Sequence, residues 1–151
     1  MTMFRSLLTT LTVWPCGYHK VTTIRSQATF ATCVTVYPVW ASKFIEIYTE
    51  MGWKDIGLAF YRMPTGTVMP VHSDLYKRYI ELFDLAGKEQ SIRRALVLME
   101  DWKPGHYLEA NGTPYVSWQA GTTVEWTYDT PHSAANIGLQ DRYTLQITGH
   151  I

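Results

Sequence analysis

At 151 residues the chain is expected to form one domain, large enough to bury roughly 68–70% of its unfolded surface without covalent staples. Its 13 basic and 13 acidic residues leave no net charge, which argues against a partner bound through a broad basic face, so no nucleic acid is expected. Two cysteines, Cys16 and Cys33, make no disulfide framework and read as small buried side chains in a reducing, cytoplasmic setting. No apolar run approaches the ~20 residues of a membrane span.

Residues 1–28 are rich in threonine and β-branched side chains, the material of one or two strands. The short apolar run near Met1 carries one arginine and no small-residue cleavage site, so it is not read as a signal peptide. Thr29 to Tyr37 reads as a strand ended by Pro38. From Ala41 to Met51, apolar residues at Phe44, Ile45, Ile47, Tyr48 and Met51 have helical spacing, and Gly52 ends the run. Ile56 to Met63 and Thr67 to His72 are strands around a turn at Pro64, Thr65 and Gly66. Leu75 to Ala86 is helical by spacing, with Gly87 as the stop. Ile92 to Met99 is a core strand, followed by a turn from Asp101 to Gly105. Tyr115 to Trp118, Thr122 to Tyr128, His132 to Asn136 and Tyr143 to Thr148 follow as strands, the last two read as a hairpin. Many short strands after helices predict an all-β core with flanking helices, a jelly roll spanning 56–149 and supported by the first ~50 residues.

One group of residues carries chemistry. His72 and Asp74 are two apart, so on an extended strand both point to one face. His132 opens a later strand and can complete a set of two imidazoles and one carboxylate, which suits Fe(II) and leaves positions open for O₂ and a co-substrate. Zinc is more often held by cysteines or three histidines. Taken singly, His72 reads as a capping histidine, His132 as a loop histidine and Arg142 as a surface arginine; their order in a β-rich chain is what links them. His19, His106 and His150 lack such spacing and read as structural or exposed. Arg142 lies ten positions after His132, and alternation puts it on one face with Thr144 and Gln146. Its guanidinium can take a carboxylate in a bidentate fork. Arg93 and Arg94 are the next anchors to consider, and Arg62 is on the opposite face from Tyr61.

With these residues the chain resembles the Fe(II)/2-oxoglutarate-dependent oxygenases, and specifically their small prolyl-4-hydroxylase-like branch, of the compact kind common in phage and bacterial genomes. The resemblance runs from about Gly57 to Gly149. It includes Tyr61 to Pro64, His72 to Asp74, Arg93 to Trp102, Trp118 to Gly121, His132 with Asn136, and Arg142 to Leu145. The spacing of Trp118 and Gly121, and of His132, Asn136 and Arg142, is also similar to that of aspartyl/asparaginyl hydroxylases.

The resemblance implies a double-stranded β-helix, cupin-like, with His72, Asp74 and His132 as ligands to Fe(II). It implies 2-oxoglutarate as co-substrate, chelating iron at one end and paired with Arg142 at the other. Tyr61 would line that pocket. Where relatives place a second co-substrate tyrosine this chain has Val97, and Thr144 is the substitute contact. The implied reaction couples decarboxylation of 2-oxoglutarate, giving succinate and CO₂, to hydroxylation of a C–H bond; the presence of Asp74 favours hydroxylation over halogenation. A peptidyl residue, proline first, is the expected substrate, with a free amino acid or other small molecule second. Tyr76 to Gln90 reads as a helix or lid, and Tyr76, Tyr79, Trp118 and Trp126 as an aromatic wall or as core. The competing readings are a non-catalytic jelly-roll ligand-binding module and a zinc-binding cupin.

Overall fold

The structure is a computed structural model and describes residues 31–32 and 38–151. The expectations for residues 1–28, for most of the strand from Thr29 to Tyr37, and for Cys16, His19 and Cys33 lie outside the described residues.

Among the described residues, nine strands form two antiparallel sheets. The first sheet holds β1 (Ala31–Thr32), β2 (Lys54–Met63), β9 (Arg142–His150), β4 (Ile92–Leu98) and β7 (Thr123–Thr127), in that spatial order. The second holds β3 (Thr67–His72), β8 (His132–Asn136), β5 (His106–Ala110) and β6 (Thr113–Tyr115). From β2 to β5 and again from β6 to β9 successive strands change sheets, the β5–β6 hairpin joining the two runs, which makes the architecture a double-stranded β-helix. Among the described residues no helix is long and apolar enough to cross a membrane.

Strand alternation gives the five-stranded sheet two apolar faces. Leu58, Phe60, Ala95, Val97, Leu145 and Ile147 point outward and bury against Tyr48 of α1 (Ser42–Glu50) and against Trp53. Met63, Leu96, Leu98, Val124 and Trp126 point inward, where they meet Leu108, Ala110 and Ala134 of the second sheet. Helix α1 is therefore a lid on the outer face, and the inner face is the wall of a barrel. The Tyr48 hydroxyl donates to Glu125 Oε1 at 2.9 Å and ties the helix to β7.

Two departures from expectation have local causes. Helix α2 (Lys77–Phe83) is shorter than Leu75 to Ala86, because Tyr76 and Asp84 at its two ends take left-handed backbone, with φ of 46° and 51°. The hairpin of β5 and β6 was not read from the sequence. It turns on Asn111 and Gly112, both at positive φ, and the chain leaves β6 at Tyr115 instead of running as a strand to Trp118.

The strands bearing His132 and Arg142 are not a hairpin, contrary to expectation. β8 pairs with β3 and β5, whereas β9 pairs with β2 and β4, so residues 137–141 cross from one sheet to the other. Fully buried Asn136 pins this crossing. Its Nδ2 donates to Met63 O at 2.8 Å and Gln140 O at 2.9 Å, and its Oδ1 accepts from Gly138 N at 3.1 Å. Gly138 is required there: a Cβ would sit 2.2 Å from Pro104 O. Asn136→Leu removes all three bonds; Gln140 O keeps its bond from His106 Nε2, whereas Met63 O and Gly138 N–H lose their side-chain partner, at about 1–3 kcal/mol for each group left unpaired in the interior. A clearly lowered urea midpoint is the expected result; an unchanged midpoint would show that other contacts hold the crossing.

Candidate metal centre

The inner face of the five-stranded sheet is read in rows from the crossing toward the opposite end. Met63 pairs with Arg142; next come Tyr61, Thr144 and Leu98; then Ala59, Gln146 and Leu96; then Gly57, Thr148, Arg94 and Trp126. Across the barrel, β8 runs from Asn136 at the Arg142 end to His132 at the Arg94 end. Four residues of strand separate these ends by about 13 Å.

The structure brings His72, Asp74 and His132 together at the Arg94 end, with one potential ligand atom of each within 4.8 Å of the others. The end of β3 supplies His72, which pairs with His132 in register. Asp74 follows on the loop before α2, and the Ser73 hydroxyl anchors that loop by donating to Asp129 O at 2.8 Å. The two imidazole rings are 4.4 Å apart.

Both imidazoles are held in the same way. His72 Nδ1 lies 2.8 Å from Pro70 O, and His132 Nδ1 lies 3.0 Å from Thr130 O. A carbonyl only accepts, so each Nδ1 carries the proton and each Nε2 presents a lone pair. His132 is buried, and burial is the main influence pushing its pKa down, which keeps the ring neutral. Its Nε2 faces Asp74 Oδ2 at 3.6 Å. Lone pairs of His132 Nε2 and Asp74 Oδ2 thus face each other, the Asp74 oxygen also accepting from Arg94 Nη1. A cation between them satisfies both, so the donor set fits a divalent metal. Two neutral nitrogens and one carboxylate oxygen match the ligand type of non-haem Fe(II), and the carbonyl bonds supply the outer support that metal-binding histidines commonly have.

Arg142 begins at the far end of the barrel and is 6% exposed. Its Nη1 donates to Tyr107 O at 2.5 Å, its Nε is buried without a partner, and among the described residues it forms no ion pair. Burial alone pushes its pKa down to about 10. A buried guanidinium with no anion beside it is a seat for one. Thr144 is buried on the next row toward the metal group, with Tyr61 as its neighbour on β2. Val97 is not part of this pocket. It points outward into the core beneath α1, and the inward neighbours on β4 are Leu96 and Leu98.

The remaining candidates divide. Tyr79 and Trp118 belong to cores: the Tyr79 hydroxyl donates to Asp55 O and the Trp118 indole to Glu100 O. Trp126 packs on the His132 ring at 5.1 Å, and Tyr76 covers Arg94. His106 is buried and donates from Nε2 to Gln140 O, His150 meets Asp55, and both are structural. Arg62 pairs on the outside with Asp141 at 2.7 Å. The residue that sequence reasoning underrated is Arg94. Its Nη1 pairs with Asp74 Oδ2, and its side chain is only 11% exposed. An arginine alternating with Leu96 and Leu98 on a core strand was the available signal.

No family model matches the chain, and no curated protein matches it. Among solved structures the chain is similar to a prolyl-4-hydroxylase from Pseudomonas putida, with TM-score 0.59 and 16% identity over 80% of this chain and 69% of that one. It also overlaps KdgF from Halomonas (TM-score 0.43, 11% identity, 64% of this chain and 69% of that one). The cupin domain of Schizosaccharomyces pombe Cnp3 overlaps similarly (TM-score 0.44, 12% identity, 64% of this chain), and there the match spans 53% of the Cnp3 chain. At such identities the likeness shows the fold alone.

The geometry makes a signed prediction for metal affinity. Losing a mere supporting partner commonly costs 10–100-fold, so His72→Ala, Asp74→Ala and His132→Ala should each cost more than about a hundredfold. Arg94→Gln should act in the opposite sense, because Arg94 both repels a cation and competes for Asp74. Mn(II) titration under anaerobic conditions reads both effects; weaker binding in Arg94→Gln would show that the arginine supports the metal group instead of competing with it.

Proposed function

We propose that this protein is an Fe(II)- and 2-oxoglutarate-dependent hydroxylase. The observation that carries the reading is a single barrel holding two separate needs. At one end one ligand atom from each of two imidazoles and a carboxylate converge within 4.8 Å, the carboxylate shared with Arg94. Deeper in, a buried arginine lacks an anion. A metal bound by a keto acid with a second, distant carboxylate answers both.

His72, Asp74 and His132 would hold the metal, which supplies the chemistry of O₂ activation when bound. Arg142 would pair with the far carboxylate of 2-oxoglutarate, with Tyr61 and Thr144 lining the space between. The chain's own contribution is orientation and exclusion of water. The two backbone carbonyls fix the imidazoles, and Leu96, Leu98, Leu108 and Ala134 keep the barrel dry. The balanced reaction takes substrate, O₂ and 2-oxoglutarate to hydroxylated substrate, succinate and CO₂. Of the two substrate classes expected from the sequence, the charges around the site favour a small molecule over a peptidyl residue. A ligand-binding module explains the barrel but assigns no role to the facing acceptors or to Arg142.

Anaerobic addition of Fe(II) and 2-oxoglutarate should produce the weak visible charge-transfer band of a chelated keto acid, and aerobic incubation a slow release of succinate. Arg142→Ala should weaken 2-oxoglutarate binding by two orders of magnitude or more, since breaking a buried charge pair commonly costs about 3–5 kcal/mol. Metal affinity should be retained. Absence of the band, or an affinity for 2-oxoglutarate untouched by Arg142→Ala, overturns the reading; succinate release that survives His132→Ala belongs to a contaminant.

A further inference from the structure

Four side-chain polar atoms are buried without a hydrogen-bond partner among the described residues: Arg142 Nε, Arg94 Nε, Trp126 Nε1 and the Tyr76 hydroxyl. The first belongs to the deep pocket. The other three lie together at the metal end. Arg94 and Trp126 are register partners on β4 and β7. Tyr76 lays its ring over the Arg94 guanidinium, 4.6 Å from centroid to Cζ. Trp126 is 8% exposed and packs on His132. Arg94 and Trp126 only donate, and the Tyr76 oxygen, which the Trp126 indole approaches as a donor, leaves its own hydroxyl proton free to donate onward. The ligand they lack is an acceptor.

Two further observations specify that acceptor. The first is charge. Around the site Asp74 carries one negative charge, and Arg94 and Arg142 carry one positive charge each. A divalent metal adds two positive charges and a dicarboxylate on Arg142 removes two. One positive charge remains, and it sits on Arg94. The second is backbone strain. Tyr76 holds φ 46° and ψ 19°, a left-handed conformation that a bulky side chain adopts at a cost, and such strain gathers at ligand clamps. The strained residue is the one that closes the arginine off.

We infer that Arg94, Tyr76 and Trp126 form a closed seat for a carboxylate of the substrate, beside the metal group and distinct from the Arg142 pocket, with the Tyr76 ring shifting off Arg94 to admit the acid while its hydroxyl stays to bind it. The substrate is then a small carboxylic acid, of which a free amino acid is the simplest fit, and not a neutral residue within a peptide. One carboxylate offers enough lone pairs for Arg94 Nε, Trp126 Nε1 and the Tyr76 hydroxyl at once. The chemical class follows from the donors; that the acid is hydroxylated there rests on the oxygenase reading.

The test uses the full chain loaded with diamagnetic Zn(II) and saturated with 2-oxoglutarate, so that Arg142 is occupied. Propionate and its neutral isostere propionamide are titrated while the indole N–H resonance of Trp126 is followed by NMR, assigned through Trp126→Phe. Propionate should move that resonance saturably and bind at least an order of magnitude more tightly than propionamide. Arg94→Gln should abolish the preference and Arg94→Lys should keep part of it. Should Arg94→Gln fail to fold, Tyr76→Phe gives the second reading: the preference should survive with weaker binding. The seat is overturned if Trp126 does not respond to propionate, if the amide binds equally well, or if Arg94→Gln leaves the preference intact. The two readings fail separately. If 2-oxoglutarate does not bind yet propionate reports on Trp126 through Arg94, the oxygenase reading falls and the seat stands. If 2-oxoglutarate binds and propionate does not, the reverse holds.

Discussion

Placing Arg142 inside the barrel with no anion beside it is the constraint that the rest of the structure must accommodate. Taking a guanidinium out of water is expensive, and one short bond to the Tyr107 carbonyl answers only part of the demand. The residue cannot turn outward, because the crossing at 137–141 fixes where β9 begins and Asn136 fixes the crossing. Crossing and apolar rows thus hold a cation at a place in the interior where an anion is the favoured partner. That same low-polarity interior strengthens every electrostatic contact at the metal end.

The strands bearing the metal group could be read residue for residue, because their signals are local. Thr67 to His72 and His132 to Asn136 run between turn residues; Asp74, expected on the same strand as His72, instead follows on a loop that the Ser73 hydroxyl ties to Asp129 O. What was not legible depends on partners in space. The hairpin expected of the strands bearing His132 and Arg142 does not form, since nothing local says whether consecutive strands pair or pass to opposite sheets. Val97 was put in the pocket because a register one residue off moves a side chain to the other face. The β5–β6 hairpin had a local signal, Asn111 and Gly112, that an eye set on apolar alternation passed over.

Arg94 was the hardest residue to weigh. Adjacent arginines at 93 and 94 look alike in sequence, and only the pairing of β4 with β7 and β9 decides which one enters the barrel. Arg93 stays with the carbonyls of Gln90 and Ile92. Arg94 reaches Asp74, twenty residues earlier, across a loop whose path no local rule dictates. Its discovery also separates the two arginines by function: Arg142 waits for an anion, whereas Arg94 already has one, the very carboxylate a metal would need.

That shared carboxylate couples the two ends of the argument. With Asp74 held by Arg94, a metal must either divide the carboxylate with the guanidinium or displace it, and in both cases the arginine's charge opposes the cation. A carboxylate arriving at Arg94 reduces that opposition and gives the guanidinium another partner. If the proposed seat takes an acid and the triad a metal, the two bindings would favour each other, and by linkage each would strengthen the other by the same factor. In the proposed seat Tyr76 belongs to the same cycle, since its ring lies over the guanidinium that holds Asp74. On that reading one ion pair, Arg94 with Asp74, would join the capture of an acid to the retention of a metal.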